Sequence, residues 1–240
     1  TLSDYRDHAD LEKIIEQGSS DELDLTKEVV DSLLKLARMS PLPEDVIKKG
    51  DALLREMTED AYFALTLFQT FKDDEKGYLI RDFLSTTVTK RKGIILKLAL
   101  LPFPDSPIET YMHALTAGES GAQSNVLEIL DNLLSIETRE LIIPLFDDSD
   151  LNEKVDRGNQ FVSKQADTTE AVANWLYSGN PWTSAIALDY SLKSDTTNGE
   201  MDWTKIPRDQ TIREVCSAQW AKDSSPLKTM KDFPTEKFIL

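Results

Sequence analysis

Cysteine is nearly absent from this chain. Cys216 is the only one in 240 residues, so no disulfide can form within it, and packing alone must hold the fold, as suits a reducing compartment. Histidine is almost as rare. His8 and His113 are the two present; they lie on separate predicted helices with no cysteine or i+4 histidine near either, which leaves a zinc site without ligands. No apolar run approaches the roughly 20 residues that span a bilayer. The best candidate, residues 93–103, is short and carries Lys97, so it reads as a core helix. Period-two alternation of β-branched residues is nowhere sustained, which argues against a sheet. A glycine-rich phosphate loop is missing too: Gly118-Glu-Ser-Gly121 is too short and suits the turn of a helix hairpin.

Positive charge is the other scarcity. Lys and Arg number 27 against 43 Asp and Glu, a formal net charge of −16. Repulsion of this sign opposes nucleic-acid phosphate and anionic lipid, so no nucleic-acid partner is expected. The acids are spread over many helices, as a solvated surface requires. Hydrophobic content of 40% and charged content of 29% are those of a soluble globular protein. A chain of this length can bury roughly three-quarters of its unfolded surface. It begins with Thr1 rather than methionine, and no basic-then-apolar signal follows, so we expect a piece cut from something longer, of cytoplasmic location or at the cytoplasmic face of a membrane.

What is present is helical periodicity. Ser3 to Gln17 and Thr26 to Met39 read as the first two helices, the second with Val29, Val30, Leu33, Leu34 and Ala37 on one face. Glu44 to Met57 follows, and Thr58 is placed to cap a further helix bearing Ala61, Leu65 and Phe68. A turn at Lys72 to Gly77 leads into a long helix from Leu79 to Leu101, and Pro102, Pro104 and Pro107 then impose an extended connector. Beyond it come two similar hairpins. In the first, Ile108, Tyr111, Met112 and Leu115 face Val126, Ile129, Leu130, Leu133 and Leu134 across a glycine turn. In the second, Val172, Trp175 and Leu176 face Ala185, Leu188 and Leu192 across Ser178 to Pro181. Such hairpins cannot bury both stripes alone and must stack on neighbours. The expected fold is therefore all-α, an antiparallel helix-hairpin solenoid. Between the hairpins, Thr138 to Phe146 is a short or kinked helix holding Pro144, and Asn152 to Gln165 a polar helix anchored by Val155, Phe161 and Val162. Pro207 to Ala221 is a final helix. The expected divisions are an N-terminal block at 1–101, repeats at 108–222 and a proline-punctuated tail at 223–240.

Several clusters invite a chemical reading. Asp147-Asp148-Ser149-Asp150 could hold magnesium, as aspartate-rich motifs do in all-helical diphosphate enzymes, but no second acidic motif accompanies it. The alternative is that these residues end one helix and cap the next. Asp195-x-Thr197-x-Gly199 resembles a calcium loop only loosely, since its glycine is one place early and Ile206 stands where a bidentate glutamate belongs. Ser32 and Lys35 are spaced like a nucleophile and base, with no oxyanion turn nearby. Thr89-Lys90-Arg91-Lys92 is the one dense basic run and could meet an acidic partner or an anionic headgroup. The tryptophans at 175, 182, 203 and 220 all fall in the C-terminal half, as inter-repeat packing or an exposed contact.

The run Leu115 to Leu134, with Glu140-Leu-Ile-Ile-Pro-Leu-Phe-Asp-Asp148 and Trp175-Leu-Tyr-Ser-Gly-Asn-Pro-Trp182, resembles the HEAT-repeat region of certain large bacterial membrane proteins. These join a transporter-like part, of the ATP/ADP-translocase or major-facilitator kind, to cytoplasmic HEAT repeats and a cyclic-nucleotide-binding-like domain. The tail Met230 to Leu240 is similar to the segment leading into that last domain. Gln123 and Thr183 depart from the pattern, standing where a basic residue is usual in the second helix. The resemblance implies a HEAT/armadillo-like module without transport or nucleotide-binding residues of its own. The expectation is a non-enzymatic interaction or coupling domain, without cofactor or metal, whose partner is a protein or the adjoining domains of the same polypeptide. Its contact residues would be Lys90, Arg91, Lys92, Trp182 and Tyr190. The alternatives are a stand-alone HEAT-type scaffold or chaperone, and a magnesium-dependent helical enzyme using Asp147 to Asp150.

Overall fold

The computed structural model describes Ile15 and residues 23–116, 120–162, 167–194, 202, 204–210 and 212. Among the described residues there are nine α-helices and one short 3-10 turn, with no strand, so the fold is all-α. The helices are α1 (Leu23–Met39), α2 (Glu44–Thr70), α3 (Tyr78–Ala99), α4 (Ile108–Thr116), α5 (Ser120–Leu133), α6 (Ile136–Phe146), α7 (Leu151–Gly158), α8 (Thr168–Leu176) and α9 (Pro181–Ser194). No helix among the described residues is long and apolar enough to cross a membrane. The expected first helix apart from Ile15, which is helical and buried, most of the last one, the tail, the Asp195 to Gly199 loop, His8, Cys216, Trp203 and Trp220 lie outside the described residues.

Local chemistry explains several boundaries. α1 begins at Leu23 rather than at Thr26, which is instead fully buried. The residues expected to form two helices around Thr58 form the single helix α2. Thr58 does not cap: its hydroxyl donates to the Leu54 carbonyl one turn back at 2.7 Å, so it is satisfied inside a continuous helix. Asp74 caps the 3-10 turn Glu75–Gly77, accepting from Lys76 N. Ser135 caps α6, accepting from Thr138 N. Pro144 lies in the last turn of α6, where it removes a donor just before the helix ends at Phe146. α7 stops at Gly158, well short of Gln165.

The chain divides into two compact units that each draw on separate stretches. The first comprises Thr1–Gln69 with Leu84–Gln165, and the second Thr70–Phe83 with Ala166–Leu240. The core of the first unit joins Val30 and Leu33 of α1, Leu53, Met57 and Tyr62 of α2, Ile94, Ile95 and Leu98 of α3, Leu130 of α5 and Ile142 of α6, all nearly or fully buried. Each such aliphatic side chain contributes about 1.5–3 kcal/mol of transfer free energy. Tyr62 takes its hydroxyl into this core and donates it to the Leu141 carbonyl at 3.0 Å. α4 packs on α5 here, with Ile108 buried and Tyr111, Met112 and Leu115 partly so. Ile129, expected on the inner stripe, is exposed.

In the second unit α8 packs on α9. Ile80, Ala187, Leu188 and Ile212 are fully buried, and Val172, Leu176 and Ile206 nearly so. Two edge-to-face ring pairs close it, Phe83 on Trp175 at 5.6 Å and Phe71 on Tyr190 at 5.2 Å. The turn before α9 needs a glycine, since Gly179 has φ of 78°. Asn180 then accepts from Trp182 N and Thr183 N at 3.0 and 3.2 Å, with Pro181 as first helical residue.

Candidate functional site

The first unit carries a groove of about 380 Å³ where α1, α3 and α4 meet. Leu23, Ile94 and Met112 supply its apolar floor, and Asp24, Lys27, Thr89, Lys90, Lys97 and Glu109 its polar walls. Gly93 lies on the α3 wall, and a Cβ there would meet only the Met112 Cε, at 3.9 Å. The walls are tied by ion pairs between helices. Lys90 Nζ is 3.0 Å from Asp24 Oδ1. Lys97, almost buried, donates to Asp31 Oδ1 at 2.6 Å and lies 3.6 Å from Glu109 Oε1. Burial of Lys97 is tolerable because Asp31 compensates its charge where water cannot.

Successive residues on a helix point about 100° apart, and the basic run shows the consequence. Lys90 turns to the groove and Asp24. Arg91 turns inward to Asp60 at 3.2 Å, with its side chain only 17% exposed. Lys92 lies half-buried with Nζ 5.7 Å from the centre of the Phe146 ring. The three cations therefore face three different neighbours and form no single patch.

The acidic run Asp147 to Asp150 is organised as helix punctuation. Asp147 accepts from Arg157 at 2.8 Å, lies 3.5 Å from Lys154 Nζ, and receives both the hydroxyl and the backbone N–H of Ser149. Burial would raise its pKa, but the Ser149 hydrogen bonds and the charges of Lys154 and Arg157 hold it below the usual carboxylate value. Asp150 caps α7 through Glu153 N at 3.0 Å. Lys154 also donates to the Asp147 carbonyl at 2.7 Å, and Gln123 donates to the Phe146 carbonyl at 2.7 Å, so both serve the open end of α6. The amide at 123 thus does a capping task for which no formal charge is required. Among the described residues no group of three or more His, Cys, Asp or Glu side chains is arranged to hold a metal.

Trp182 and Tyr190 belong to the second unit. Trp182 stands on the first turn of α9 and is 65% exposed. Tyr190 is half-buried on the Phe71 edge, its hydroxyl donating to Asp74 Oδ2 at 2.9 Å; burial and the Asp74 carboxylate push its pKa up. Asp74 is therefore shared between the 3-10 turn and Tyr190. Nothing in the sequence pairs these two residues, which stand far apart along the chain. Likewise, the groove arises from three helices of separate sequence segments, and only its Lys90 wall was marked by composition. No protein-family model matches the chain, and neither a curated protein nor a solved structure matches it.

Proposed function

We propose that this chain is a non-enzymatic α-helical repeat module, with hairpins stacked in the manner of HEAT or armadillo repeats, that serves protein interaction or coupling. Its setting is the cytoplasmic part of a larger transporter-like membrane protein that also carries a cyclic-nucleotide-binding-like domain. Its partner is an adjoining domain of that polypeptide or a separate protein. The observation that carries this reading is the groove between α1, α3 and α4, where an apolar floor is bordered by lysines and acids. A floor of this kind suits a helix or loop of another protein, because apolar anchors give affinity and the charged border sets register. Support also comes from α4–α5 and α8–α9, whose bounds coincide with both expected hairpins, and from the exposed indole of Trp182.

The test places a photo-crosslinking residue at position 90 or 182 in the full-length polypeptide. The expected result is a crosslink from position 90 to a protein segment outside this chain, reduced severalfold by Gly93→Leu, which fills the groove without changing charge. Absence of any product from both positions defeats the interaction role. Translating the surrounding reading frame tests the setting separately: membrane-spanning segments before Thr1 and a β-roll domain after Leu240 are expected, and a frame lacking both defeats it.

A further inference from the structure

A line of alternating charge crosses the groove from α1 to α4. Lys27 Nζ of α1 lies 4.0 Å from Asp31 Oδ2, Asp31 Oδ1 accepts from Lys97 of α3 at 2.6 Å, and Lys97 Nζ lies 3.6 Å from Glu109 Oε1 of α4. The two inner groups are close together and mostly covered, whereas Lys27 and Glu109 are exposed and loosely held. Either outer group can turn to a new partner, because Asp31 and Lys97 still compensate each other. Lys90 is bound more firmly, with both oxygens of Asp24 at 3.0 and 3.3 Å. The groove therefore offers an arriving molecule a cation on the α1 wall and an anion on the α4 wall. Its lysines 27, 90 and 97 are balanced by Asp24, Asp31 and Glu109, in a chain where acids outnumber bases 43 to 27.

Apolar surface accompanies these charges. Ile94 is buried, and Leu23 and Met112 are partly covered. Gly93 leaves a notch on α3, and only the Met112 methyl comes near it, 3.9 Å from where a Cβ would stand. An unbranched thioether side chain repacks readily, so the notch can admit an apolar knob from outside. A single-headed amphiphile such as a fatty acid answers one of the two loose charges and leaves the other unmatched. A helix answers both, since residues three or four apart share a face and can place charges on either side of an apolar anchor.

We infer, resting on the interaction role proposed above, that the groove receives an amphipathic helix of a protein partner whose apolar anchor is flanked by one acid and one base. The anchor seats over Gly93 against Ile94 and Met112, the partner's carboxylate pairs with Lys27, and its cation pairs with Glu109. Affinity comes from the desolvated anchor, and the two charges set the orientation of the helix. A helix whose flanks are both acidic meets repulsion at Glu109, and one whose flanks are both basic meets it at Lys27.

The test selects a displayed library of helical peptides against the full chain, with a leucine anchor fixed and the flanking positions on its face varied among Glu, Lys and Gln. Survivors are expected to carry one Glu and one Lys, and to bind about tenfold more tightly than the Glu/Glu or Lys/Lys versions by fluorescence anisotropy. Glu109→Lys is expected to shift the selected pattern to Glu/Glu, Lys27→Glu to shift it to Lys/Lys, and Gly93→Leu to abolish selection. No survivors, survivors without a charge pattern, or the same pattern from Glu109→Lys would overturn the inference. So would dodecanoate binding, or dimerisation of the chain lost in Gly93→Leu, where no helix is selected. A crosslink from position 90 to an outside protein, with no charge pattern in the selection, overturns this occupant and leaves the interaction role standing. The pattern chosen by the unmodified chain decides the question even if a variant fails to fold.

Discussion

Asp147 shows how one carboxylate can order a junction. It lies between α6 and α7, draws two cations and a serine, and is largely withdrawn from water. Replacing it by asparagine keeps the shape and removes the charge, leaving Lys154 half-covered and poorly compensated. Asp147→Asn is expected to cost about 1–3 kcal/mol, read as a shifted urea midpoint with an unchanged slope. Its folded pKa is depressed below 3.8, so its stabilisation is complete above that value and is lost as pH falls through the lower folded one. The unfolding curves of Asp147→Asn and the parent chain should therefore converge in acid. Lys92 works in the opposite direction. Its folded pKa of about 8 lies below the unfolded 10.5, so between these values the unfolded chain binds more protons and stability rises with pH. Lys92→Met should flatten that rise, and an unaltered pH profile would contradict the environment described for it.

At the scale of helices, two glycines make opposite demands. A Cβ on Gly158 would stand 2.3 Å from Tyr62 Cδ1, with Cγ and Cβ of the same side chain also inside contact distance. α7 can approach α2 only because that position is bare, and Gly158→Ala is expected to destabilise by about 1–3 kcal/mol. A Cβ on Gly93 would make only an ordinary contact with Met112 Cε at 3.9 Å, so Gly93→Ala should stabilise α3 by about 0.5–1 kcal/mol through helix propensity. Thermal unfolding of both variants distinguishes a packing glycine from a groove glycine. The helices themselves were readable from the sequence wherever the apolar period was regular, as in α1, α4, α5, α8 and α9. Reading failed where a residue had two possible tasks. Thr58 has the chemistry of a cap, yet tertiary burial of its neighbours carries the helix straight through it. Gly158 and Tyr62 are separated by a long stretch of chain, and no local pattern signals their contact. The candidate site was legible only in part for the same reason: a basic run in one dimension separates into three directions once wound on a helix.

For the whole molecule, the excess of acids sets the response to salt. With a formal charge of −16, mutual repulsion among surface carboxylates works against compactness more than the exposed ion pairs favour it. Raising ionic strength from about 0.01 to about 1 M shortens the Debye length from roughly 30 to 3 Å, and the melting temperature is expected to increase across that range. A decrease would show that networks such as Lys97–Asp31–Lys27 outweigh the repulsion. The interleaved make-up of the two units has a consequence for biosynthesis. Residues 70–83 leave the ribosome early but belong with residues from 166 onward, so Phe71, Asp74 and Phe83 must wait for Trp175 and Tyr190 to be translated before their rings and carboxylate are matched. A C-terminal fragment starting at Ala166 would be born without those three side chains, and it should regain a cooperative melt only when a peptide covering 70–83 is supplied in trans.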